Sequence, residues 1–472
     1  SFSLLPSSIL LILFFSFHVI SSAYVPVYVM LPLDVINPST LHVQDIGKLS
    51  YQLKQLRTQA NVDGIMMDVW WGLTERQPQQ YYFQPYRQII DLCASLGLKV
   101  QIVTSFHACG TNVGDPVKIP LPDWVRQNGR FYTDAEGFAN DEYLSWSSDH
   151  ASIFPTASGG KRTGLDCYSD WVAALIQEFK QEFEQGIIRT VEVGLGPAGE
   201  LRYTSYPLRE KSPGSGQIWR YPGVGEFQCY EPNMLQDLKT ASDTAGHPEW
   251  GHAGPDNAGN YNDWPFDGNA QFFSDDGSDN WNSDYGHFFL SWYTGRLINH
   301  GSAILSRVGT QLLPFPNTTI AAKISGVHWW YDTESHAAEL TAGYYNTIKY
   351  NGYLDIASMF ANNTKPVEFQ FTCLEMTTAS QSDCTGHRQS CKSDPERLVY
   401  QTRDAAWRNN IAYSGENALP SYTYDKYNQI IKQSRVGDRV ISGFTYLRLG
   451  DQLMQSDNFN RFKNFVGRMK NV

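Results

Sequence analysis

Val191-Glu192-Val193-Gly194-Leu195-Gly196-Pro197-Ala198-Gly199-Glu200-Leu201-Arg202-Tyr203-Thr204-Ser205-Tyr206-Pro207 is the stretch on which the reading of the fold turns. Its opening, Thr190-Val191-Glu192-Val193, alternates in the way of a buried strand. Three glycines and a proline then break the strand and deliver one carboxylate, Glu200, with Tyr203 and Tyr206 close behind it. A carboxyl group in a sharp turn beyond a buried strand, walled by aromatic rings, is suited by desolvation to act as a general acid. The same residues spell G-x-G-x-x-G over 194–199, the dinucleotide fingerprint. That fingerprint needs a helix starting within the glycines to receive a pyrophosphate. Here the following residues run through Pro207 as a loop, and the nucleotide reading fails.

Working outward, the chain has 472 residues, 14% aromatic and 18% charged. This composition fits a large globular enzyme and excludes a disordered or coiled-coil chain. The net charge of −11 comes without a long basic run, so nucleic acid is not expected as a partner. Ile9–Phe17 is an apolar run too short for a bilayer, and Ser21-Ser22-Ala23 offers small residues for cleavage. Residues 1–23 are therefore expected to be a secretory signal peptide, with 24–472 as one catalytic domain that is secreted or vacuolar. No other stretch is long and apolar enough for a membrane. Seven cysteines are too few for a disulfide framework, although Cys384 and Cys391 could close a small loop. Asn317 and Asn362 begin glycosylation sequons.

Taken in order, the chain alternates strand and helix. Strands are expected at Val25–Leu31, within Asp63–Gly72, at Lys99–Phe106, Ile188–Val193, Thr319–Ser325, Val367–Phe371, from Ile411, and at Ile441–Leu447. Helices are expected near 43–60, 86–96, 170–185, 285–308, from 335, and over 395–409 and 424–433. Residues 116–165 and 201–280 lack periodicity, the second being an active-site elaboration. Eight strands in this rhythm predict an α/β fold, a (β/α)8 barrel with long βα loops. Polar residues at or near the strand ends (Asp68, His107, Glu200, Lys323, Thr372, Glu416, Arg448) would gather at its C-terminal face. The bland alternative is that strand ends are simply where polar residues must go, and on its own the pattern is only suggestive.

Six motifs in this order, DVWWG (68–72), HACGTNVGD (107–115), GLGPAGELRY (194–203), KISGVHWWY (323–331), FTCLEM (371–376) and GENALP (415–420), resemble the plant β-amylases, glycoside hydrolase family 14. The resemblance spans the chain from about Tyr24 to its end. It implies an exo-acting, inverting hydrolase that releases β-maltose from the non-reducing ends of α-1,4-glucans such as starch. By the same resemblance Glu200 is the general acid and Glu416 the general base, with Glu375 a second-ranked rival for the base. An inverting pair spans about 6.5–9.5 Å, room for the attacking water. Asp68, His107 and Asp115 are implied to bind the terminal glucose units, Asp115 from a lid. Lys323 would orient the sugar beyond the cleavage point, and His328, Thr372, Asn417, Ala418 and Arg448 would line the groove.

The sequence departs from the family pattern at Thr111, where the lid has a second glycine, and at Thr204, which stands for a proline. The segment 377–394 also differs. The alternative is a non-hydrolytic glucan-binding or sensory protein on the same fold, against which both glutamates and Asp115 argue. No cofactor and no metal are called for, and the expected form is a monomer.

Overall fold

The structure is a computed structural model that describes residues 23–210, 212, 214–381 and 390–472. The signal peptide expected over 1–23 therefore falls outside the described residues except at its last position.

The apolar run Gly64–Trp70 is buried at every residue. A strand in a parallel barrel is covered on both faces, by side chains within and helices without, so it carries a nearly continuous apolar sequence. Eight such strands form a closed, all-parallel barrel in which each pairs with its neighbours in the chain. They are β1 (Val27–Met30), β2 (Gly64–Trp70), β3 (Lys99–Ser105), β4 (Ile188–Val193), β5 (Thr319–Ile324), β6 (Val367–Phe371), β7 (Tyr413–Glu416) and β8 (Phe444–Tyr446). The longest ladder aligns Gly64 with Lys99 through Trp70 with Ser105, and Val27 opposite Phe444 closes the ring. Met30, Met66 and Val103, with Leu447 against them, form a small apolar cluster apart from the main core. They come from neighbouring strands and pack inside the barrel.

The main core lies between the barrel and its helices. Helix α1 (Ile46–Thr58) starts where the Asp45 carboxylate accepts from the Lys48 amide, and it buries Leu49, Leu53 and Leu56. Helix α2 spans Gln84–Ser95. Helix α3 (Gly164–Glu178) opens with a reciprocal cap between Thr163 and Asp166, which satisfies two otherwise orphaned amides.

Several elements depart from the sequence-based expectation. Residues 116–165 are largely loop but also hold a short helix, Asp123–Asn128, and an antiparallel pair, Phe131–Thr133 with Ala139–Leu144. Residues 201–280 contain helix α4 (Pro232–Ala245), which begins on a proline and stops at the left-handed Gly246. Only Met234, Leu238 and Ser242 of α4 are buried, so its apolar stripe is too narrow to stand out as periodicity. Helix α5 runs Asp284–Leu312. The helix expected from 335 is present but short, Ala337–Ala342, and a further helix, α6 (Gly352–Ala361), follows it. Helices α7 (Pro395–Arg408) and α8 (Tyr424–Gln433) lie where expected. Helix α9 (Ser456–Met469) goes beyond the elements expected. It buries Phe459, Phe462, Phe465 and Val466, and the Phe465 ring stacks 4.7 Å from Tyr427. Among the described residues no helix is long and apolar enough to cross a membrane.

Candidate active site

A cavity of 420 Å³ opens at the C-terminal ends of the strands, lined by residues at or beyond the ends of all eight. Asp68 of β2, Lys323 of β5 and Glu416 of β7 point in from the C-terminal halves of their strands, and Glu200, Thr372 and Arg448 follow the ends of β4, β6 and β8. Of the residues singled out from sequence, Asp68, His107, Asp115, Glu200, Lys323, His328, Thr372, Glu416, Ala418 and Arg448 all line this cavity. Asn417 does not. Its amide donates to the Leu447 carbonyl at 2.6 Å and its Oδ1 accepts from the Leu447 amide at 2.9 Å. It pins the end of β7 to the end of β8 from behind the wall.

The glycine turn that resembled a nucleotide fingerprint makes a single 3-10 turn, Pro197–Gly199, with Ala198 and Gly199 at φ 54° and 76°. A side chain at Gly196 would collide with the carbonyl oxygens of Glu200 and Arg202. The glycines are needed to fold the chain back so that Glu200, 9% exposed, meets the cavity.

The surroundings of Glu200 differ from the aromatic wall expected. The Arg202 guanidinium donates to its Oε2 at 2.6 Å and lies 4.1 Å over the Tyr206 ring. Tyr206 does face the cavity, whereas Tyr203 turns away to stack 3.9 Å from Tyr293 in the core. Trp219, Tyr221 and Trp329 complete an aromatic side of the cavity, with centroids 5.5 and 5.7 Å apart for the Trp219–Trp329 and Tyr221–Trp329 pairs. The long segment after Glu200 thus contributes four wall residues, Arg202, Tyr206, Trp219 and Tyr221.

Glu416 is 2% exposed. Lys323 Nζ lies 3.0 Å from its Oε1 and 3.3 Å from Glu192 Oε1, while the Gln370 amide donates to Glu416 Oε2 at 3.2 Å. One ammonium therefore faces two buried carboxylates. Burial pushes the pKa of Glu416 up, opposed by Lys323. Glu192 is also pushed up, by burial first and against the pull of Lys323. Burial works against the charge on Lys323, but Glu192 and Glu416 outweigh it and hold the ammonium protonated. Glu192 and Gln370 were not singled out as site residues. Alternation was the available signal: Glu192 falls between Val191 and Val193 and so points to the barrel interior.

Glu375 is tied up elsewhere, its carboxylate accepting from the amides of Ala418 and Leu419 at 3.1 and 2.8 Å. It shapes the loop after Glu416. On the opposite side Asp68 accepts from the Ser105 hydroxyl at 2.7 Å, leaving its Oδ2 and the Nδ1 of His107 without a hydrogen-bond partner. Buried polar atoms of this kind call for a hydrogen-bonding ligand. Burial lowers His107 to about 3, aided by Lys323 and Arg202, and lowers His328 to about 4. Both rings are held neutral across the physiological range.

Cys93, Cys109, Cys167, Cys229 and Cys373 are free and buried. Cys391 is disulfide-bonded, and Cys384 lies outside the described residues. Burial raises the thiol pKa of all five free cysteines, which makes them poor nucleophiles. The native protein is therefore expected to resist Ellman's reagent until denatured. Rapid labelling of Cys109 in the native state would instead show that the strand-like pairing of Cys109 with Ile119 opens readily.

Comparison with known proteins accords with this geometry. Residues 28–472 match the description Glycosyl hydrolase family 14. The chain is 44% identical over 458 residues to chloroplastic β-amylase 2 of Arabidopsis thaliana, covering 95% of this chain and 80% of that one. It is 44% identical over 460 residues to a β-amylase of Glycine max, covering 94% and 87%. The catalytic domain of the β-amylase from Paenibacillus polymyxa superposes with a TM-score of 0.74 at 29% identity, covering 96% of this chain and all of that one. The secretory or vacuolar placement does not stand, because similar proteins from Arabidopsis thaliana and Oryza sativa are named chloroplastic, which points to the plastid. With this family match, and with the paired glutamates at the mouth of a closed parallel barrel, the chain belongs to glycosyl hydrolase family 14 and is a glycosidase of the β-amylase type.

Proposed function

We propose that the chain is an exo-acting, inverting hydrolase that releases β-maltose from the non-reducing ends of α-1,4-glucans, with Glu200 as general acid and Glu416 as general base. The observation that carries this reading is that the cavity holds two buried glutamates from different strands, Glu200 contacted by Arg202 and Glu416 by Lys323. Glu200 accompanies the aromatic side, where Tyr206, Trp219 and Trp329 can stack on sugar rings. Glu416 is held by Lys323 and Gln370, which favour its ionised form and orient one oxygen.

In this reading Glu200 gives its proton to the glycosidic oxygen of the leaving chain. Glu416 takes a proton from the water that attacks the anomeric carbon from the opposite face, which inverts the configuration. Asp68, His107 and Asp115 would hold the hydroxyls of the terminal glucose units, Lys323 would orient the sugar beyond the cleavage point, and His328, Thr372, Ala418 and Arg448 would line the groove for the remainder of the chain. The protein acts as one catalytic domain, a monomer. Its compartment is the plastid, the one named for several relatives.

The test is the anomer released from maltopentaose, followed by NMR in the first minutes, together with a maltopentaose blocked at its non-reducing end. β-Maltose first, with the blocked substrate untouched, is the expected result. Early α-maltose would overturn inversion, and cleavage of the blocked chain would overturn exo action. No sugar from a folded chain would favour a glucan-binding protein.

A further inference from the structure

The lid expected over 107–115 is held by a residue outside the six motifs. Glu142 lies on the strand Ala139–Leu144, is 1% exposed, and directs its carboxylate at the junction between the lid and the turn that carries Glu200. Its Oε2 accepts from the Thr111 hydroxyl at 2.6 Å. Its Oε1 accepts from the Asn112 side-chain amide at 2.5 Å and from the Ala198 backbone amide at 3.2 Å. Asn112 in turn accepts from Arg202 Nη2 at 2.9 Å, and Arg202 Nε donates to Glu200 Oε2 at 2.6 Å.

Two routes therefore join Glu142 to Glu200. One runs through the backbone of the turn just ahead of it, and the other through Asn112 and the guanidinium. The lid is closed on itself as well: Asp115 accepts from the amides of Gly110, Thr111 and Asn112 at 2.8, 3.1 and 3.1 Å, and the Leu208 amide donates to the Thr111 carbonyl at 3.0 Å.

We propose that Glu142 is a positioning residue that fixes the lid and Glu200 as one unit, with the Thr111 hydroxyl as its contact on the lid. The inference rests on the reading of Glu200 as the acid that protonates the leaving oxygen. A buried carboxylate that accepts three hydrogen bonds is a rigid anchor, since each donor it releases would be left unpaired. Displacing the acid even slightly is costly, because proton transfer needs hydrogen-bond distance at the transition state. Thr111 stands where the family pattern has a glycine. It gives the lid a hydroxyl donor to Glu142 and less backbone freedom.

The experiment compares two substrates of the full chain: maltopentaose, whose leaving sugar needs a proton, and α-maltosyl fluoride, whose fluoride departs without one. Glu142→Gln keeps the size of the side chain but cannot accept all three bonds. It is expected to lower kcat on maltopentaose by about tenfold to a hundredfold while leaving the fluoride rate within about threefold of wild type. Thr111→Val is expected to show the same pattern more weakly, and Thr111→Ser to restore wild-type ratios. Equal losses on both substrates in Glu142→Gln would overturn the proposal, since a general loss of structure or of glucan binding has no reason to spare the fluoride. If Glu142→Gln does not fold, the Thr111 pair decides, and a wild-type ratio of the two rates in Thr111→Val would overturn it. Glu200→Gln serves as the control. Equal loss of both substrates there would remove the acid reading itself, whereas a spared fluoride in Glu200→Gln with equal losses in Glu142→Gln would remove only the role of Glu142.

Discussion

Glu416→Gln is expected to cut maltopentaose hydrolysis by about 10²–10⁴-fold, the range of a lost general base, with KM little changed. The amide matches the carboxylate in size and can keep a contact with Gln370, so the loss reports on chemistry more than on shape. Azide, which needs no deprotonation to attack, is expected to restore turnover and to yield β-maltosyl azide. No rescue, or a retained rate in the variant, would refute Glu416 as the base. The pH dependence follows from the same cluster. The base must be ionised, and burial raises its pKa while Lys323 Nζ, 3.0 Å away, lowers it. Activity is therefore lost as pH falls through a value above the usual carboxylate range. Lys323→Met removes the opposing charge, so the acid limb of kcat/KM is expected to move to higher pH. A limb that stays in place would assign it to another group.

The largest expected effect on stability lies away from the cavity, at the buried pair Glu75–Arg162. Glu75 is fully buried and Arg162 is 5% exposed. Arg162 Nη2 lies 2.5 Å from Glu75 Oε1, the Trp71 indole donates to Oε2 at 2.7 Å and the Gln79 amide to Oε1 at 2.7 Å. The arginine also reaches Asp170 at 2.9 Å and lies 5.1 Å over the Trp124 ring. It thereby ties the loop after β2 to the start of α3.

Arg162→Met leaves the carboxylate buried without its cation, a change that costs about 3–5 kcal/mol. The sign with pH is fixed by Glu75, whose pKa burial already raises and Arg162 lowers. Without Arg162 the folded-state pKa rises further above the unfolded value. The deficit is then fully present near pH 7 and shrinks as acid protonates Glu75. Urea midpoints near pH 7 and near pH 5 are expected to show a larger gap between variant and wild type at the higher pH. The double variant Arg162→Met with Glu75→Gln is expected to recover most of the loss. A gap that does not change with pH would mean that the arginine acts by packing on Trp124 rather than by its charge.

The barrel was legible because a parallel strand is apolar along its whole length and stops at a turn. β1 (Val27–Met30) and β2 (Gly64–Trp70) come nearest to this, while β7 (Tyr413–Glu416) is short and largely polar; the observed strands overlap or adjoin the expected ones. Their ends were less legible: Pro26 and Pro32 bound β1 to Val27–Met30, and residues 439–440 leave for a two-stranded hairpin with 435–436 before β8 begins at Phe444. Helix α4 was missed because it buries one narrow stripe, and α6 because the helix before it stops after six residues at the left-handed Gly343. In the site, the turn chemistry and motifs around Glu200 and Glu416 marked two residues that the structure places at the cavity. Glu142 could not be found in this way. It lies 58 residues before Glu200 in a segment without helical periodicity, and its partners come from two different loops.

By itself the sequence determined the alternation of strand and helix, the closed parallel sheet and the family, because these depend on local patterns of apolar, glycine and proline residues repeated along the chain. The tertiary structure decided which polar groups share a charge. Lys323 serves both Glu192 and Glu416, Arg202 and not a tyrosine contacts the Glu200 carboxylate, and Asn417 faces the backbone of β8 rather than the cavity. These pairings join residues up to more than a hundred positions apart, and they follow from barrel closure and from the loops that fold over it. Coulombic and hydrogen-bond energies act through space over a few ångströms, and separation along the chain does not record that distance.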